Sequence, residues 1–256
     1  MTVVAIPFLL CLILVCIHSY FGNFILKRGI LFADLALAQW AALGYLIGHY
    51  FHLDSQLLLF FCGVSMSLLA SLILSVLSPI FEKSKDQEAI IGILYVLASA
   101  GAIALISSSG MEGHHLQEMF SGHLLFVSKT ELLYVTVLYS IIAALSFKFH
   151  HHFESHNSLS CFIFYGLFGV LVSSSVKLVG LLLVFSFLVI PVFVSRLRYE
   201  TFKPQLLFSW FIGGIASLFG LFGSLVIDIP PAYCIILALG VCWGMSLLLY
   251  SIKTDK

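Results

Sequence analysis

An all-α fold, a polytopic membrane bundle of about eight or nine transmembrane helices, is what this sequence predicts. Three observations carry that prediction. Hydrophobic residues make up 61 % of the chain and charged residues 9 %, with a mean hydropathy of +1.12. A soluble domain has about 25 % charged residues, and so few charges cannot cover a water-facing surface. Apolar windows long enough to cross a bilayer recur at roughly 3–21, 30–50, 56–81, 88–108, 131–149, 159–175, 177–195, 206–227 and 231–251. They are continuous rather than alternating, which excludes a β-barrel. Finally, Lys and Arg segregate between the loops. With the N-terminus out, Lys27, Arg28, Lys83, Lys85, Lys148, Arg196, Arg198, Lys203, Lys253 and Lys256 fall inside, and only Lys129 and Lys177 outside. That bias predicts a cytoplasmic C-terminus, and residues 1–256 read as a single transmembrane domain.

The first window, Val3 to Phe21, lacks a basic leader and a small-residue cleavage site, so it reads as a retained helix rather than a signal peptide. The second, GILFADLALAQWAALGYLIG from Gly29 to Gly48, carries Asp34 and Gln39. An ionised Asp near the middle of a membrane helix costs on the order of 2.5–3.5 kcal/mol. The pair is either a tie between helices or part of a functional path. Next come loop residues able to ligate a cation on the expected outer side: His49, His52 and Asp54, then Glu112, His114, His115, Glu118 and His123, and lastly Asp228. Imidazole with carboxylate suits zinc, manganese or iron, and the set reads as a defined site, a transient landing zone or plain solvated side chains. On the inner side His150, His151, His152, Glu154 and His156 form a second cluster or simply a hydrophilic turn.

Windows 159–175 and 177–195 have almost no loop between them, so one broken helix with a re-entrant piece is the alternative to two spans. Small residues four apart, at Gly44 and Gly48, Gly213 and Ser217, Gly220 and Ser224, and Gly240 and Gly244, predict close helix crossings. Pro191 removes a backbone donor inside its helix and should bend it. Pro230 and Pro231 close a turn. Lys177 should sit at the outer end of its helix, as a snorkelling anchor or beside the path. The six cysteines all lie in apolar runs without a CxxC pair, which suggests neither disulfides nor a zinc knuckle. A formal net charge of +0 gives no argument for nucleic acid. No P-loop, Ser/His/Asp set or H-E-x-x-H motif occurs, so no catalytic residue is expected.

Several stretches, in unbroken order, resemble the membrane (permease) subunits of zinc, manganese and iron ABC transporters. GNFILKRGILFADLALAQWAALG (Gly22 to Gly44) is similar to that family's basic turn and Asp-containing helix. EAIIGILYVLASAGAIAL (Glu88 to Leu105) resembles its acid-Ala-x-Ile-Gly helix start, and HLQEMFSGHLLFVSKTEL (His115 to Leu132) its Leu-Phe-Gly-Asp-Leu-Leu-x-Val-Ser segment. VKLVGLLLVFSFLVIPVFVSRL (Val176 to Leu197) resembles its Lys-x-Val-Gly-x-Leu-Leu stretch ending in Ile-Pro-Ala, and Asp228-Ile-Pro-Pro stands where the family has Asp-x-Pro-x-Gly.

The resemblance implies a multi-pass permease in the plasma (inner) membrane. It would pair with a second copy, cytoplasmic ABC ATPase subunits and an extracytoplasmic metal-binding protein. ATP hydrolysis would lie on the separate chain, and alternating access would move a divalent zinc, manganese or iron ion as cargo, with no permanently bound cofactor. Asp34 and Gln39 would lie on the path, with His49, His52, Asp54, His114, His115 and His123 at its entrance. Two departures stand out. The family has Asp-x-x-x-His in the second helix, whereas Gln39 stands where the His is expected, five residues from Asp34. The segment His150 to Ser158 is shorter than the family's ATPase-docking segment, which leaves coupling to that stub or to Glu82–Gln87 and Arg196–Lys203. The competing class is an ATP-independent secondary cation or small-solute transporter. That class needs several intramembrane acids, and Asp34 alone lies near a membrane interior.

Overall fold

The computed structural model describes residues 2–81, 86–109, 122–155 and 157–254. Among them are nine α-helices and no strand: α1 (Thr2–Arg28), α2 (Ala33–Tyr50), α3 (Gln56–Phe81), α4 (Gln87–Ser109), α5 (Lys129–Lys148), α6 (Ser158–Val179), α7 (Leu181–Arg196), α8 (Phe202–Ile227) and α9 (Pro231–Thr254). Eight of the nine apolar windows fall essentially on one helix each, and the window 177–195 spans the end of α6, Gly180 and α7. By length and composition seven of them can cross a membrane. Two of the expected spans fall short. Helix α7 has only 16 residues, and α2, with 18, is diluted by Asp34, Gln39 and His49.

Local chemistry sets the helix ends. Helix α5 opens with a reciprocal cap: Ser128 N–H donates to Glu131 Oε2 (2.8 Å) and Glu131 N–H donates back to Ser128 Oγ (3.1 Å). Ser128→Ala is expected to cost about 1 kcal/mol, measurable as a lower thermal midpoint. Asn157 Oδ1 accepts from Ser160 N–H (2.8 Å) at the start of α6. The junction between the closely spaced windows is one residue, Gly180, at φ 85° and ψ 155°. That backbone suits only glycine, so two helices form here in place of one unbroken rod. Helix α7 continues through Pro191.

The chain falls into two compact units. One holds most of α1, the start of α5, and α7 to α9. There a Cβ at Gly22 of α1 would overlap the Leu188 carbonyl of α7, and one at Gly220 of α8 would meet the Ile235 backbone of α9. Trp210 Nε1 donates to Cys16 O (3.1 Å), and Ser209 Oγ donates to Pro191 O (3.2 Å) and lies 3.0 Å from Ser195 Oγ. The glycines let backbones touch, which is how helices gain packing energy in lipid. Gly240 and Gly244 of α9, by contrast, face no described atom within 4 Å.

The other unit comprises α2 to α4, the later part of α5, and most of α6. Helix α2 packs between α3 and α4. A Cβ at Gly44 would overlap the Cys62 carbonyl of α3, while Trp40 Nε1 donates to Leu94 O of α4 (3.0 Å). Tyr165 of α6 ties to α3: its carbonyl accepts from Ser71 Oγ (2.8 Å) and its hydroxyl lies 3.0 Å from Ser78 Oγ. Arg28 ends α1 as an anchor for the short segment after α5. Its Nη2 donates to Phe153 O (2.7 Å) and Ser155 O (3.4 Å), and the guanidinium sits 4.4 Å from the Phe164 ring centre. The His-rich stretch is thereby a single 3-10 turn, His150–Glu154, with Phe153 buried and His151, His152 and Glu154 exposed. His156 lies outside the described residues.

Many serines close on their own helix. Ser173, Ser186 and Ser246 each donate Oγ–H to the carbonyl four residues back, at 2.6 to 2.8 Å. This satisfies a hydroxyl inside an apolar bundle without a partner helix.

Candidate metal pathway

Asp34 is the second residue of α2, in its first turn. The apolar window starts earlier, but Gly29 at φ 70° and the turn at 30–32 delay the helix to Ala33. The acid therefore stands at a helix end rather than in the middle, where the helix dipole favours negative charge. It is fully buried, and neither carboxyl oxygen has a hydrogen-bond partner. Burying a polar group without a compensating bond is costly, and native proteins rarely leave one so.

Gln39 is also buried, with 6 % exposure. Helix α2 is regular α-helix from Ala33 to Tyr50, with no π turn. Five residues along such a helix amount to about 140° round its axis. Ala38, not Gln39, holds the position one turn beyond Asp34.

The start of α4 brings to the start of α2 an acid that the sequence marked only as the opening of a family-like helix. Glu88, half-buried in the first turn of α4, accepts the Phe32 N–H on Oε1 (3.1 Å), and its Oε2 is buried without a partner. A carboxylate opening an apolar run looks like a helix-start residue, and only the packing of α4 against α2 reveals the second environment. His18 was missed. It is fully buried in α1, with Nδ1 2.9 Å from Leu14 O; the polar trio His18, Ser19 and Asn23 inside an apolar window was the available signal.

The proposed entrance residues divide between the units. His49 closes α2 with its ring 4.7 Å from that of Tyr45. His52 takes a left-handed φ of 55° and donates its N–H to His49 O (2.9 Å), so its backbone forms the stop of α2. Asp54 is exposed. In the other unit, His123 and Asp228 line one cavity of about 420 Å³, together with Gly122, Phe126, Ser224 and Pro231. Its walls are built by tight backbone geometry. Gly122 (φ 60°) has no room for a Cβ beside Val179 and Gly180, and His123 N–H donates to Leu178 O (2.9 Å). Asp228, in the left-handed region, ends α8. His114, His115, Glu112 and Glu118 lie outside the described residues. Among the described residues no three His, Cys, Asp or Glu side chains gather as a metal cage. What the arrangement offers is a buried acid and a scattered set of loop residues.

These features define a class first: a multi-pass helical membrane protein with an uncompensated acid in its interior. The chain belongs to the ABC 3 transport family, whose profile matches residues 3–250. Among solved structures it is similar to a chain of PsaBC from Streptococcus pneumoniae in complex with Fab. The TM-score is 0.74 at 18 % identity, covering 94 % of this chain and 89 % of that one. It is also similar to a chain described as a metal-chelate type ABC transporter in an inward-facing conformation. There the TM-score is 0.69 at 18 % identity, covering 94 % and 85 %. A search of curated proteins returns no match.

Proposed function

We propose that this chain is the permease subunit of an ABC importer for a divalent metal ion, zinc, manganese or iron, in the plasma membrane. Its N-terminus lies outside and its C-terminus in the cytoplasm, so that Lys and Arg collect on the inner side. Two copies form the path, separate ATPase subunits drive alternating access, and an extracytoplasmic binding protein delivers the ion. His123 and Asp228 give the ion a first imidazole and carboxylate contact at the outer cavity, and Asp34 receives it within the membrane domain.

The single observation that carries this reading is Asp34, a fully buried carboxylate with two unpartnered oxygens in a chain of a transport family. Such a group is stabilised when a cation passes and costs stability when none does. The test is uptake of radioactive zinc and manganese by proteoliposomes holding the chain with its ATPase. Uptake should require ATP and stop when the ATPase is inactivated; uptake that continues undiminished would refute the importer in favour of a secondary transporter. His123→Ala is expected to raise the half-saturating metal concentration several-fold with little change in maximal rate, read from the same assay.

A further inference from the structure

Resting on the permease reading and its orientation, we propose that the inner ends of α1, α7 and α8 form a binding site for an anionic phospholipid of the cytoplasmic leaflet. The lipid phosphate sits among Lys27, Arg196, Arg198 and Lys203, and an acyl chain lies along the exposed face of α8.

Contacts within one compact unit bring these helix ends together. Arg196 Nη2 donates to Asn23 O (3.5 Å), so the end of α7 lies on α1 one turn before Lys27. The Phe202 ring, at the start of α8, stands 5.7 Å from the rings of Tyr20 and of Phe24, which seats Lys203 beside the same end of α1. The link between α7 and α8 folds back onto α8. Gln205 Nε2 donates to Tyr199 O (2.7 Å), and the Arg198 guanidinium lies 5.9 Å from the Phe208 ring centre. Residues 22–27 and 196–203 hold these four cations against one acid, Glu200. Lys27, Arg198 and Lys203 are exposed, and Arg196 is half-buried. The N-terminus of α8, the positive end of its dipole, adds to the same field.

The surface next to the charges says which anion fits. Lys203, Leu207 and Phe211 follow one another at four-residue spacing, so they share a face of α8. Leu207 is 62 % exposed and Phe211 59 %, and the exposed Phe219 and Phe222 continue the apolar surface toward the far end of the helix. A basic cluster at the head of an uncovered apolar stripe matches both halves of a lipid. Guanidinium and ammonium groups pair with phosphate oxygens, and basic pockets between helices on the cytoplasmic side suit anionic headgroups. A free phosphate would use the charges and leave the stripe idle. Tyr199, half-buried in the link, is the amphipathic aromatic expected at headgroup level.

The test places the permease–ATPase complex in nanodiscs of phosphatidylcholine with a minority of phosphatidylglycerol, and native mass spectrometry reads which lipid stays bound. Wild type should be enriched in phosphatidylglycerol. Arg198→Gln with Lys203→Gln should lower that enrichment about fivefold for each cation removed, with the ATPase still co-purifying. Excess glycerol phosphate should not displace the lipid; displacement would make this a site for free phosphate and overturn the proposal. Equal enrichment in wild type and double variant would overturn it too. Loss of the ATPase from the double variant, with enrichment intact, would assign the patch to the ATPase instead. Should Arg198→Gln fail to accumulate, Lys27→Gln with Lys203→Gln is read by the same criteria. Enrichment in a complex whose metal uptake needs no ATP would defeat the importer reading and leave the lipid site standing. ATP-driven uptake by a complex that holds neither lipid over the other would do the reverse.

Discussion

Asp34→Asn is expected to lower ATP-driven metal uptake about 10- to 100-fold, with the complex still assembled at wild-type abundance. The size follows from what is lost. Asn keeps the volume and one acceptor oxygen but removes the charge that, on the proposed reading, draws a divalent ion out of water. Stability should not fall. The wild-type carboxylate is buried with no hydrogen bond to either oxygen, so the change removes an uncompensated charge rather than a favourable contact. Uptake per assembled complex, beside the thermal midpoint, distinguishes the two roles. A lower midpoint with unchanged uptake per folded complex would make Asp34 a structural residue.

The second large effect is on folding. Arg28→Ala is expected to destabilise the protein by about 3 kcal/mol, from charge-assisted hydrogen bonds and a cation–π contact. The side chain holds the Phe153 and Ser155 carbonyls and covers the Phe164 ring. Its removal takes that anchor away from the 3-10 turn after α5. Arg28→Lys should recover little, because an ammonium cannot fork to two acceptors while lying flat on a ring. The thermal midpoint in detergent measures both variants. If the turn is the contact to the ATPase, metal-stimulated ATP hydrolysis will uncouple from uptake in the fraction that remains folded.

The bundle was legible in the sequence because hydrophobicity in a membrane protein is a one-dimensional signal: a window either is long and apolar or is not. Eight of the nine windows coincide with single helices, and the small residues at Gly44, Gly213 and Gly220 sit at close crossings. The same reasoning placed Gly240 and Gly244 at a crossing too, yet both are open among the described residues. Spacing says where a backbone can be approached, not whether anything approaches it. The break before α7 falls at Gly180, a few residues beyond the Ser173–Lys177 junction read from the sequence. Hydropathy averages over many residues, whereas one positive φ makes the break.

The site was half legible. Asp34 drew attention because an acid in an apolar run is expensive, but its depth depended on where α2 begins, which Gly29 and the following turn decide. Glu88 was read only as the acid opening a family-like helix, because no local pattern bridges the sequence distance to the start of α2. The outer histidines were read as one set by type. In the structure His52 is spent on a turn, while His123 and Asp228 line one cavity.

The self-bonded serines bear on motion. A hydroxyl whose proton already rests on its own helix asks nothing of the neighbouring helix, so shear between the two breaks no hydrogen bond there. Ser186 of α7, bonded to Leu182 O, is such a hydroxyl. Where a serine reaches across, as Ser71 does to Tyr165 O, the same sliding must break a bond. Serine placement thus divides each unit into surfaces that glide and surfaces that latch.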